Sequence, residues 1–195
     1  MIPNDKVEQY FAKIIAECRE IFKNKLEDYG PTWAIYREVS LADQIWIKIK
    51  RVRTVGEVGC KVQETAEDGL RAIVNYAVIW LMRINYPELI PGPDRIIEDV
   101  SLLKSMDRAA LRGGYDDTAA DIVRLFRAKN HDYGSAWQEM SVASIIDMIM
   151  IRTLRVKNIV YGDVKPTASE DVDGQLADIV IYAVFALIKY GAAET

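Results

Sequence analysis

The chain has 195 residues, half of them hydrophobic and 28% charged, with 11 Gly, 6 Pro, two cysteines and one histidine. That length suits one or two domains of ~100–200 residues, and the composition excludes a disordered or collagen-like chain. A net charge of -4 and a pI near 5.2 provide no basic field over the surface, which disfavours general duplex binding. Cys18, Cys60 and His131 make neither a disulfide framework nor a Cys/His zinc site, so a reduced, cytoplasmic setting is expected. The longest apolar stretch, Ile179 to Ile188, is about half of what a spanning helix needs, and the N-terminus MIPNDKVEQYF reads as no signal peptide.

Taken in order, Val7 to Glu27 predicts a first helix, with Phe11, Ile14, Ile15, Cys18, Ile21 and Phe22 at helical spacing and an Asp-Tyr-Gly stop. A second helix is expected from Ser40, as N-cap, to about Val55, broken by Gly56 and Gly59. A third carries the stripe Leu70, Ile73, Val74, Ala77, Val78 and Leu81. Prolines between Pro87 and Pro93 interrupt the chain. A bridging helix follows over Asp94 to Arg112, then helices over Asp117–Asn130 and Ser141–Val160, and a last one with the stripe Leu176, Ile179, Val180, Ala183, Val184 and Leu187. No segment alternates with period two, so the fold class is all-α.

The halves repeat. Lys25, Asp28, Tyr29, Gly30 and Trp33 recur 104 positions later as Lys129, Asp132, Tyr133, Gly134 and Trp137. The register continues through Asp43/Asp147, Lys48/Arg152 and Arg51/Arg155 and, after a two-residue insertion, through Glu64/Glu170, Leu70/Leu176 and Tyr76/Tyr182. We therefore expect two tandem three-helix repeats, residues 1–86 and 117–195, joined by a linker and bridging helix over 87–116 and packed face to face as a pseudo-two-fold helical bundle.

Three constellations could carry chemistry. Lys-x-x-Asp-Tyr-Gly-x-x-Trp is explained structurally by a positive-φ glycine cap and a Trp folded back on its helix. It is explained functionally by a cation beside rings that stack on a base. Lys48/Arg51 and Arg152/Arg155, one turn apart, could clamp a phosphate or simply form a solvated face. Glu64 and Asp68, with Asn75, fall within about 40° of one another on a helical wheel of ~100° per residue, as do positions 174 and 178. Stacked carboxylates repel unless a cation lies between them, the pattern of a Mg²⁺ site. Acids also favour a helix's first turn, which accounts for Glu64 and Glu170 but not for Asp178, two turns in.

The order Lys-Asn-x-Asp-Tyr-Gly-x-x-Trp, Lys/Arg-x-x-Arg, Glu-x-x-x-Asp-x-x-x-Asp-Ile-x-x-Tyr-Ala resembles the nucleotide modification associated domain family, first type, in both copies. Gln175-Leu-Ala-Asp178-Ile-Val-Ile-Tyr182 is also similar to the last motif of MazG-like all-α nucleoside triphosphate pyrophosphohydrolases. The resemblance implies a helical bundle, a nucleotide substrate and Mg²⁺. Copy one departs at Ala72 and Leu26 and copy two at Gly174, so neither acidic row is complete. One composite site at the interface of the copies, or nucleotide binding without hydrolysis, both fit.

The leading expectation is a Mg²⁺-dependent enzyme cleaving a (deoxy)nucleoside triphosphate between the α and β phosphates. Glu64, Asp68, Glu170, Asp173 and Asp178 would hold metal, and a metal-activated water would attack. Lys25, Lys48, Arg51, Lys129, Arg152 and Arg155 would bind phosphate, while Tyr29, Trp33, Tyr133 and Trp137 would contact the base. The alternative is a non-catalytic helical module that binds a nucleotide or a protein. A homodimer is compatible with either. Nucleic-acid binding is disfavoured, though the basic runs Lys48–Arg53 and Arg152–Lys157 could support it locally, with a steep salt dependence.

Overall fold

The computed structural model describes residues 1–59, 61, 63–162 and 171–191, and among these every regular element is helical. Cys60 and the expected metal ligand Glu170 lie outside the described residues. Helix α1, Asn4–Tyr29, buries Val7, Phe11, Ile14, Ile15, Cys18, Phe22 and Leu26, one face at helical spacing. It ends at Gly30, whose φ of 66° other residues rarely adopt. A 3-10 turn over Thr32–Ile35 leads into α2, Glu38–Val58, and α3 spans Ala66–Asn85.

Two expected boundaries of α2 move. Ser40 is not the N-cap, because the helix already begins at Glu38. Gly56 does not break it either: one interior glycine costs only ~1 kcal/mol, and α2 stops at Gly59, with φ 81°.

The continuous helix expected over residues 94–112 is replaced by α4, Pro93–Glu98, and α5, Leu102–Ser105, followed by the start of α6, Arg108–Tyr133. Local side-chain acceptors make the breaks. Asp99 Oδ1 accepts from the backbone N–H and hydroxyl of Ser101 at 3.0 and 2.6 Å, and Asp107 Oδ1 accepts from the N–H groups of Ala109 and Ala110 at 2.7 and 3.2 Å. Helix α6 thus starts well before Asp117. It passes through Gly114, where an added Cβ would stand 3.0 Å from Leu89 and 3.2 Å from the Met82 sulfur, so glycine permits the close approach of α6 to the end of α3. A second 3-10 turn, Ala136–Glu139, precedes α7, Val142–Val160, which is capped by the Ser141 hydroxyl and lies within a residue of the expected range, and α8 spans Val172–Lys189.

The repeat is now visible as geometry. Helices α6 and α7 start 104 positions after α1 and α2, and α8 starts 106 after α3, the same register and insertion as in the sequence. Helices α2, α3, α7 and α8 form the heart of the bundle, with α3 on α8 and α2 on α7 joining the two copies. Consecutive residues Ile79–Met82 and Ala183–Ile188 are buried, because α3 and α8 are covered on all sides. One hydrophobic core runs through both repeats.

Outer helices interlock the copies. Phe11 of α1 stacks on Phe126 of α6 with ring centroids 4.0 Å apart, and Phe22 on Tyr115 at 4.4 Å. Arg112 and Arg108 meet Glu27 at 2.6 and 3.0 Å, while Arg127 meets Glu8 at 2.9 Å, so α1 and α6 run antiparallel. No helix among the described residues is long and apolar enough to cross a membrane.

Candidate functional site: two equivalent clefts

Each repeat folds its Lys-x-x-Asp-Tyr-Gly-x-x-Trp segment against its own last helix and leaves a cleft between them. In copy one the end of α1 supplies Lys25 and Tyr29, the 3-10 turn supplies Trp33 and Tyr36, and α3 supplies Ala72, Asn75, Tyr76 and Ile79, around about 330 Å³. In copy two Lys129, Tyr133, Trp137, Met140, Arg152, Asp178, Ile181, Tyr182 and Phe185 enclose about 370 Å³. The structural explanation of the motif is seen in copy two, where Gly134, with φ 57° and ψ 33°, is a left-handed cap; in both copies the motif also borders the cleft.

The clefts differ in how their polar groups are satisfied. In copy two Asp178, with 16% of its side chain exposed, is held between Lys129 and Arg152, the latter at 3.0 Å. The Arg152 guanidinium also lies 4.6 Å over the Tyr182 ring. Copy one has Ala72 at the position of Asp178, so Lys48, the counterpart of Arg152, turns elsewhere and meets Glu64 at 2.7 Å. Lys25, exposed at the mouth of the cleft, has no carboxylate partner among the described residues.

The indoles diverge too. Trp137 stacks on Phe185 at 4.1 Å and donates its N–H to Asn130 Oδ1 at 3.3 Å, an acceptor that also lies 2.9 Å from the Ser135 hydroxyl. Leu26 stands where copy one would need that asparagine, and the buried Trp33 N–H has no partner. Copy one carries a different amide instead. Asn75, 9% exposed, accepts from the Tyr115 hydroxyl at 2.7 Å. Its counterpart in copy two is Ile181, and that of Tyr115 is Phe11.

Of the acids predicted to bind metal, the described ones, Glu64, Asp68, Asp173 and Asp178, are not grouped together. The Glu64 carboxyl is lowered from its ordinary range by the Lys48 ammonium, and Arg51 donates to the Glu64 backbone carbonyl and, at 3.3 Å, to that of Thr65. Asp68 belongs to a capping box: its carboxylate accepts the Thr65 N–H at 2.9 Å, which lowers its pKa, while its own N–H donates to the Thr65 hydroxyl at 3.2 Å. Asp173 is exposed in a separate cavity of about 180 Å³ beside Asp121 and Gly174. Among the described residues no three acidic, histidine or cysteine side chains are grouped to hold an ion.

Of the predicted phosphate and base contacts, Lys25, Lys129 and Arg152 line the clefts with all four motif aromatics, Tyr29 and Tyr133 as exposed rims. Lys48, Arg51 and Arg155 line neither. Tyr36, Tyr76, Tyr182 and Phe185 also line the clefts without having been predicted there, and Asn75, singled out only for sharing a helix face with Glu64 and Asp68, lines the first cleft instead. The signal for Tyr76 and Tyr182 was a tyrosine repeated one turn beyond the acid position.

Fold and clefts together define a duplicated all-α protein with a cationic, aromatic cleft in each repeat. Residues 25–84 and 129–190 match the family described as nucleotide modification associated domain 1, and the chain belongs to that family. No curated protein and no solved structure matches it. The likeness to MazG-like pyrophosphohydrolases rests on the last-helix motif alone.

Proposed function

We propose that this protein binds nucleotides in its clefts without a metal-dependent hydrolytic centre. The base lies along the aromatic wall, Trp33, Tyr36 and Tyr76 in copy one, and the phosphate reaches the lysine at the mouth. The observation that carries this reading is the repeated pairing of a cationic mouth with an aromatic wall around 330 to 370 Å³, within the ~300–1,000 Å³ of ligand sites. Rings offer a face to any base, and an ammonium neutralises phosphate charge. Membership of a nucleotide-associated family supports the same ligand class.

Pyrophosphohydrolysis would require carboxylates free to hold Mg²⁺; Glu64 and Asp178 are paired with lysine and arginine, Asp68 is committed to a helix cap, and Asp173 borders a separate cavity. Titration calorimetry with a panel of nucleoside mono-, di- and triphosphates, with and without Mg²⁺, tests both points. Binding that survives chelation, with no pyrophosphate released from triphosphates, is expected. Turnover that requires Mg²⁺ and is lost in Asp178→Asn would establish the hydrolytic reading instead.

A further inference from the structure

We propose that the cleft of the first repeat is the one that reads the base, and that Asn75, oriented by Tyr115 from the second repeat, selects bases presenting a carbonyl oxygen. The inference rests on the nucleotide-binding reading above. Asn75 is nine-tenths buried and lines the cleft. Its Oδ1 accepts from the Tyr115 hydroxyl at 2.7 Å. Its amide NH₂ meets no acceptor among the described residues and is not sealed off from the cleft that Asn75 lines, so it is placed to donate to a ligand there.

The direction of the amide follows from Tyr115. That hydroxyl is buried on α6 in a ring stacked on Phe22, and it donates to Asn75 Oδ1 at 2.7 Å. With the carbonyl side of Asn75 engaged, the NH₂ side faces what occupies the cleft. It would meet the exocyclic oxygen of an oxo base, whereas an exocyclic amino group at that place would set donor against donor. The second cleft has no such reader. Ile181 and Phe11 replace the asparagine and tyrosine, and the half-buried Asp178 is latched between Lys129 and Arg152.

The same comparison supplies the variants. Asn75→Ile and Tyr115→Phe install the residues that the other repeat carries at the equivalent positions, so the fold should tolerate both. Affinities of inosine and adenosine 5′-monophosphates, and of the uridine and cytidine pair, are measured by calorimetry on wild type and both variants. The expected result is a preference for the oxo member of each pair, roughly tenfold for one buried hydrogen bond. It should collapse in Asn75→Ile and shrink in Tyr115→Phe. Binding without discrimination, or discrimination that survives Asn75→Ile, would overturn this inference while leaving nucleotide binding in place. No binding of any nucleotide would overturn both.

Discussion

Single substitutions between the repeats redirect the partners of unchanged neighbours. The indole N–H of Trp137 is satisfied because residue 130 is asparagine, and that of Trp33 is not because residue 26 is leucine. Asn130→Leu would strip the acceptor from Trp137, while the Ser135 hydroxyl keeps Asn4 Oδ1 at 2.5 Å. Leaving the buried indole donor unsatisfied is expected to cost about 1–3 kcal/mol, read from urea unfolding.

Charges follow the same logic. Asp43, bonded first by Lys157 and then by the Tyr161 hydroxyl at 2.7 Å, and Glu64, bonded by Lys48, both have pKa values lowered by these partners. A carboxylate depressed in the folded state stabilises it above the unfolded pKa and loses that contribution as pH falls through the folded value. Melting temperature is therefore expected to drop below about pH 4, and the drop should be shallower in Asp43→Asn. An equally steep acid limb in that variant would show that the pair contributes nothing.

At the scale of elements, helix ends are set by side chains and helix approaches by glycines. Asp107 alone accounts for the start of α6, and Asp107→Ala should cost about 1 kcal/mol. Two glycines in helical first turns make opposite predictions. At Gly69 an added Cβ would stand 2.8 Å from a Val52 methyl, so Gly69→Ala must separate α2 from α3 and is expected to destabilise by about 1–3 kcal/mol. At Gly174 nothing lies within 4 Å, and Gly174→Ala should stabilise α8 by about 0.5–1 kcal/mol. Thermal melts of the two variants, moving apart from wild type, check the pair.

The elements also show what periodicity can and cannot reveal. The stripes of α3 and α8 were legible because burial at every third and fourth position leaves a local signature. The start of α6 was not: a helix was expected from Asp117, and only contact with Leu89 and Met82 shows why glycine is needed at 114, inside the longer helix.

For the whole molecule, the shared surface of α3 and α8 makes the two repeats one folding unit. Each alone would expose faces that are buried from every side in the full chain. The protein is expected to unfold in one transition, with fluorescence and circular dichroism coinciding, and residues 1–86 expressed alone should show no cooperative melt. Two separated transitions in the full chain would argue for independent domains.

The duplication, the all-α class and the motif that borders each cleft were determined by the sequence by itself, because they reside in spacing along one chain. Local spacing also placed Lys25, Lys129, Trp33 and Trp137 at the site. Only the tertiary structure decided which acids meet which cations. A row of carboxylates on one helix face looks like a metal site until the lysines, arginines and cap donors of neighbouring helices are brought up against it. It likewise decided that Asn75 is turned by a tyrosine 40 residues away, on the other repeat. Hydrogen-bond direction depends on what packs opposite, and that information is held by the fold rather than by either segment.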